Sequence, residues 1–250
     1  MHLSVVIPAH NEETLLPRTL AALAGSIAAA RADPALGLTA AEVIVVDDAS
    51  TDRTGAIAAG AGARVVRIDR RQISASRNAG ARAALGDALV FVDADTVVPP
   101  AVLREALATL KAGAAGGGAF PRFDGAIPRY ARILLPVFLA VVRLSRATGG
   151  CFLFCTRAAF DASGGFDETL YATEEVWFCR NIRRRAGRFV ILRETVITSA
   201  RKLRAYSARE LLGLLARCAV RPGRIRQREH LGLWYGPRRD DPGGAAPRLP

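Results

Sequence analysis

The chain has 250 residues, enough for one large domain or two fused halves, and at that size it folds on its core without a disulfide or metal staple. Half of the residues are hydrophobic and 23% are charged, which excludes wholesale disorder. Lys and Arg outnumber Asp and Glu 35 to 23, a net charge of +12; only Lys111 and Lys202 are lysines, and the remaining arginines either suit phosphate and carboxylate partners or follow from genomic base composition.

The start, Met1 to Pro8, lacks the basic region of a secretion signal, and its apolar run is short. Leu3–Ile7 reads as a strand and Glu12–Ala30 as a helix with Leu15, Leu16, Leu20, Leu23 and Ile27 on its apolar face. Strands at Val43–Val46, Val65–Ile68 and Ala88–Val92 alternate with helices at Asp52–Ala61 and Ser74–Leu85. The strands are continuous apolar runs, so both faces are expected to be covered, as in a parallel sheet with right-handed crossovers. Pro99-Pro100 opens a helix to about Lys111, and Gly113–Gly118 reads as flexible. Further helices are expected at Pro128–Arg146, kinked at Pro136, and at Thr173–Ala186 and Ser207–Cys218. Short strands are expected at Gly150–Cys155, Phe189–Leu192 and Thr195–Thr198, and a disordered tail from Gly236. Cys151, Cys155, Cys179 and Cys218 match no metal or redox spacing and read as reduced core residues of a cytoplasmic protein.

Ligands of a parallel sheet bind at the carboxyl ends of its strands. Here those ends read Pro8-Ala9-His10-Asn11-Glu12, Asp47-Asp48-Ala49-Ser50-Thr51-Asp52 and Asp93-Ala94-Asp95-Thr96. Three acidic strand ends on one edge repel one another unless a cation or a donor-rich ligand compensates. Asp52 alone reads as a helix N-cap. Asp93 and Asp95, two apart in an extended segment, put both carboxylates on one side, a hard-oxygen pair suited to Mg²⁺ or Mn²⁺ with ligand phosphates. Arg77, near a helix start, comes within reach of a diphosphate or is a solvated helix arginine.

The succession Ser4–Glu12, Val45–Asp52, Arg77-Asn78-Ala79-Gly80 and Asp93-Ala94-Asp95, followed by Gly164-Gly165-Phe166-Asp167-Glu168 and Glu174-Glu175, resembles the family 2 glycosyltransferases of the GT-A fold. The resemblance spans residues 3–202, and the order and spacing of the motifs carry it. It implies an α/β architecture with a Rossmann-like, mostly parallel central sheet, helices on both faces and a smaller acceptor-side half. Residues 1–97 would form the nucleotide-sugar-binding half and 98–235 the acceptor-binding half of one domain, with 236–250 as tail. The implied activity is inverting transfer of one sugar from a nucleotide sugar, a UDP-sugar in the first instance, to an acceptor hydroxyl with a divalent cation, Mg²⁺ or Mn²⁺. Pro8, Ala9 and Glu12 would line the base and ribose pocket, Asp48 would bond the base, and Arg77 would sit near the base or diphosphate. Asp93 and Ala94 would touch the donor, with Asp93 also in the metal shell, and Asp95 would hold the metal. Glu175 falls at the general base, where the family more often has Asp, and Glu174 is the alternative. Relatives often carry a metal-binding histidine near Thr198; this chain has none there, which leaves Ser199, water or nothing in its place. Arg201 and Lys202 would close over the diphosphate.

The Gln-x-x-Arg-Trp signature and membrane spans of processive synthases are absent from the sequence, which favours single transfer. Arg183-Arg184-Arg185, Arg188, Arg217, Arg221, Arg224, Arg226 and Arg228 form a basic region, and Ile133–Val142 is apolar. These suggest peripheral docking on an anionic membrane at the cytoplasmic face, with lipid-linked acceptors in reach; the plainer reading makes Ile133–Val142 core. Nucleic acid is disfavoured, because aromatics are 6% and no stacking motif appears. Val90–Thr96 also fits a haloacid-dehalogenase-like phosphatase, but that motif belongs on a first strand, and here three precede it. A non-catalytic nucleotide-sugar-binding scaffold is the remaining alternative; the intact Asp93, Asp95 and Glu175 weigh against it.

Overall fold

The computed structural model describes residues 1–144, 148–236, 239 and 241. Its strands are β1 His2–Ala9, β2 Ala40–Asp48, β3 Arg64–Ile68, β4 Ala88–Val92, β5 Thr96–Val97, β6 Gly116–Gly118, β7 Pro121–Phe123, β8 Phe152–Thr156, β9 Phe189–Ile191 and β10 Val196–Thr198. Its helices are α1 Leu16–Arg31, α2 Thr54–Gly60, α3 Ile73–Ala83, α4 Pro100–Lys111, α5 Arg129–Leu144, α6 Arg157–Ser163, α7 Glu174–Arg185, α8 Arg201–Ala205, α9 Ala208–Val220 and α10 Gly232–Tyr235. A seven-stranded sheet runs β3-β2-β1-β4-β8-β6-β9, and a three-stranded sheet runs β5-β10-β7. The first four strands of the large sheet are mutually parallel, and β8 is antiparallel to both β4 and β6. Residue 97 ends β5, the first strand of the small sheet in chain order.

The strands follow their apolar runs. Every residue of β4 is buried, and so are Leu3–Ile7 of β1. Leu16, Leu20, Leu23, Ile27 and Ala30 of α1 face one side of the sheet. The Thr19 hydroxyl donates to the Ala94 carbonyl (2.9 Å) and Ser26 to the Val98 carbonyl (2.6 Å), which ties α1 to the segment leaving β4. On the other side, Gly80 lets α3 lie directly on β1, because a Cβ there would overlap Val6 and press on Val46. Phe91, Phe160, Phe166 and Phe178 fill the space beyond α3, with Phe166 and Phe178 stacked at 4.2 Å.

Three expectations change. The first helix starts at Leu16, not Glu12, because residues 11–13 are tied to the 50–54 loop: Ser50 accepts from the Asn11 amide, Thr54 from the Glu12 amide and Asp52 from the Glu13 amide. The glycine-rich stretch is not flexible at Gly116–Gly118: it is a buried strand between β8 and β9. A Cβ on Gly117 would run into the Phe154 ring and the Val190 carbonyl, and one on Gly118 would press on the Phe152 carbonyl at 2.8 Å. Ile133 and Leu134 of α5 are 72% and 40% exposed, so the Ile133–Val142 run is not simply core. Among the described residues no helix is long and apolar enough to cross a membrane. Cys151, Cys155 and Cys179 are buried free thiols; the Cys218 side chain and most of the expected tail lie outside the described residues. Leu231 is fully buried with Ala172 and Leu214, which folds the 231–235 stretch back onto the domain.

Candidate active site

The carboxyl ends of β1, β2 and β4 gather the acidic motifs on one edge. Four described non-glycine residues have positive φ: Asn11 (52°), Ala49 (56°), Arg71 (46°) and Thr173 (65°). Asn11 and Ala49 follow β1 and β2, Arg71 precedes α3, and Thr173 precedes the acid pair of α7. A left-handed, β-branched Thr173 stores strain of about 1–3 kcal/mol, the kind that collects at functional sites.

Two arginine–carboxylate clusters occupy this edge. In the first, the Arg201 fork donates to Glu12 Oε1 (2.6 Å) and Oε2 (2.9 Å), and its Nη2 also pairs with Asp95 Oδ2 at 3.0 Å. Burial pushes the Asp95 carboxyl above its usual range; Arg201 pulls it back, Glu12 raises it, and Lys202 adds a further pull downward. Burial would lower the Arg201 pKa, but Asp95 and Glu12 outweigh it and hold the guanidinium more firmly charged than usual. The loop beneath is pinned by residues the sequence reading passed over. Buried Asp124 accepts from the Ala200 amide (2.9 Å) and pairs with Arg18 at 2.9 Å. The hydroxyl facing Asp95 belongs to Thr198 (3.4 Å); that of Ser199 instead accepts from the Arg201 amide.

In the second cluster Arg77 is 2% exposed, so it is neither a solvated helix arginine nor placed at an open diphosphate pocket. Its Nη1 donates to Glu174 (3.0 Å), and its Nη2 to Asp93 (3.0 Å) and the Gly150 carbonyl (2.8 Å). Its guanidinium lies 5.1 Å from the centre of the Phe166 ring. Burial works against its charge, but Asp93, Glu174 and Glu175 more than offset it and raise its pKa. Beside it, burial first and the Glu174 carboxylate second push Glu175 up to about 8, against the pull of Arg77. Glu174 is thus the ion-paired member of the acid pair, and Glu175 the member whose carboxyl is pushed upward.

The remaining residues have separate positions. The Asp48 carboxylate accepts the amides of Arg70, Arg71 and Gln72 (2.7–2.8 Å) and the Ser76 hydroxyl (2.9 Å), so its four lone-pair positions hold the loop into α3. Ala9 and Ala94 are buried and Pro8 is half-buried. Asn78 bonds the Phe166 backbone in both directions (2.8 and 2.9 Å), which joins the Arg77–Gly80 and Gly164–Glu168 segments. Asp95 lies beside the Thr198 hydroxyl while Asp93 is held by Arg77; both are hard oxygen donors of the kind that suits Mg²⁺ or Mn²⁺, and a shell on either would need phosphate oxygens and water. Among the described residues no group of three His, Cys, Asp or Glu side chains could hold a metal by itself.

The fold is an α/β sheet with charged strand tips on one edge and an acid pair, Glu174 buried and Glu175 half-buried, opening α7. Residues 4–163 match the glycosyl transferase family 2, and the chain belongs to that family. The fold is shared with S. aureus TarS (21% identity, TM-score 0.61, 81% of this chain and 61% of that one). It is shared with the mannosyltransferase PcManGT from Pyrobaculum calidifontis, solved with GDP-Man and Mn²⁺ (18%, TM-score 0.62, 93% and 62%). A third similar structure is the glucosyl-3-phosphoglycerate synthase of Mycobacterium tuberculosis with Mn²⁺, UDP and glucosyl-3-phosphoglycerate (22%, TM-score 0.57, 94% and 80%). The chain spans about three fifths of the TarS and PcManGT chains. No curated protein sequence matches it significantly.

Proposed function

We propose that the chain is an inverting glycosyltransferase that moves one hexose from a nucleotide sugar, a UDP-sugar in the first instance, to an acceptor hydroxyl. The observation that supports this is the presence on one sheet edge of two arginine–carboxylate clusters, Glu12–Asp95–Arg201 and Arg77–Asp93–Glu174, the second next to Glu175, whose carboxyl burial pushes up. Structures of the shared fold hold UDP-GlcNAc, UDP or GDP-Man, two of them with Mn²⁺, which supports the donor class.

Pro8, Ala9 and Glu12 border the base and ribose pocket. Asp48 serves that pocket indirectly, by fixing the Arg70–Gln72 loop. A divalent cation held by Asp95 and Asp93 would neutralise the charge developing on the departing diphosphate. Arg201 and Lys202 lie beside Asp95 and stabilise the same charge. The acceptor oxygen attacks the anomeric carbon from the face opposite the diphosphate. Its proton passes to a Glu175 carboxylate oxygen, the bond from the anomeric carbon to the phosphate oxygen breaks, and that electron pair leaves with the diphosphate. Arg77 acts as a positioning residue: it holds Glu174 and Asp93, and so Glu175 beside them.

Exposed Arg217, Arg221, Arg226 and Arg228, with exposed Ile133, Leu134 and Leu212, favour peripheral docking at the inner face of an anionic membrane and a lipid-linked acceptor. Release of nucleoside diphosphate from a panel of UDP- and GDP-sugars tests the function. One donor class is expected to turn over, faster when glycolipid or saccharide acceptors are added; no release from any donor with any acceptor would defeat it.

A further inference from the structure

The expected metal ligand Asp95 already has a cation, supplied by the chain. Arg201 Nη2 sits 2.6 Å from Glu12 and 3.0 Å from Asp95, so one guanidinium joins the tips of β1 and β4. The backbone carrying it is fixed at three points: the Ser199 amide donates to the Asp95 carbonyl, the Arg201 amide to Ser199 Oγ and the Ala200 amide to Asp124. The side chain keeps 21% of its surface exposed and reaches Glu12 and Asp95 from that fixed backbone.

The charges here are close to balanced. Glu12, Asp95 and Asp93 bring three negative charges; Arg201 pairs with the first two, Lys202 lies near enough to act on Asp95, and Arg77 pairs with Asp93. A doubly charged ion added alone must displace Arg201 from a mostly buried carboxylate and leave the site over-positive. A diphosphate arriving with the ion removes both obstacles: it brings the missing negative charge, and it gives the Arg201 fork a new partner of matching geometry.

We propose that Arg201 is a tethered counter-ion that competes with the divalent cation for Asp95, so that cation and donor diphosphate bind together and not separately. This rests on the nucleotide-sugar reading above. Arg201 then couples the two ligands, and by linkage each raises the affinity of the other by the same factor.

The test is Mn²⁺ binding to the full chain, read from the loss of the free-ion electron paramagnetic resonance signal, for wild type, Arg201→Gln and Arg201→Lys. UDP and GDP binding is measured calorimetrically on the same samples with and without Mn²⁺. Arg201→Gln is expected to bind Mn²⁺ without nucleotide about tenfold tighter than wild type, and to lose most of the coupling between Mn²⁺ and nucleotide. Arg201→Lys, which keeps the charge but not the fork that reaches Glu12 and Asp95 together, is expected to fall between wild type and Arg201→Gln. Equal Mn²⁺ affinities for wild type and Arg201→Gln, with nucleotide still bound, would overturn this inference alone. Failure of wild type to bind either nucleotide would overturn the donor reading and this inference with it.

Discussion

Replacing Glu175 by Gln is expected to cut turnover about 10²–10⁴-fold, the usual loss when a general base is removed, while nucleotide binding stays intact. The carboxylate must be ionised to accept the acceptor's proton, and burial beside Glu174 holds it up to about 8. kcat/KM of the wild type should therefore climb as pH rises through about 8, and the variant's residual rate should lack that limb. Stability moves the opposite way. A carboxyl raised from 4.5 to about 8 stabilises the fold fully below pH 4.5, and that contribution is lost as pH rises through about 8. Glu175→Gln, neutral throughout, should melt above wild type at pH 9, with the gap closing towards pH 4. Full activity in this variant would move the base to Glu174 or elsewhere.

Replacing Arg77 by Met is expected to destabilise the protein by about 3–5 kcal/mol, because it leaves buried Glu174 without its cation and Asp93 without its partner. For a chain of this length that is a Tm fall of at least about 6 °C. Arg77→Lys keeps one charge but not the fork that reaches Glu174, Asp93 and Gly150 together, and should recover only part of the loss. A Tm unchanged by Arg77→Met in thermal denaturation would show that Arg77 does not tie the two carboxylates together.

The architecture was legible where apolar runs are long. Val43–Val46 and Ala88–Val92 announce strands packed on both faces, and the acidic residues after them announce the ligand edge. The burial of Arg77 is not legible in sequence for a physical reason: its neighbours Ser76 and Asn78 carry no apolar signal, and its partner Glu174 lies 97 residues away. A charge buried by distant carboxylates leaves no local pattern. Gly116–Gly118 was hidden because its strand character comes from close neighbours, Phe154 above all, and not from its own side chains. Asp48 was found as a strand-end acid, but its role is set by the backbone amides of Arg70, Arg71 and Gln72, which sequence does not place. The contrast between Glu174 and Glu175 likewise appears only once Arg77 is seen to choose between them.

The most direct measurement is a thermal-shift and calorimetric comparison of UDP, GDP and their sugars, with Mn²⁺, on wild type and Asp95→Asn. A ligand held at about a hundredfold over its Kd stabilises by about 2.7 kcal/mol, which for a chain this long raises Tm by roughly 5–10 °C. The account predicts such a shift for one nucleotide class in the wild type and its loss in Asp95→Asn. Equal binding to both proteins, or no shift with any nucleotide, would contradict it.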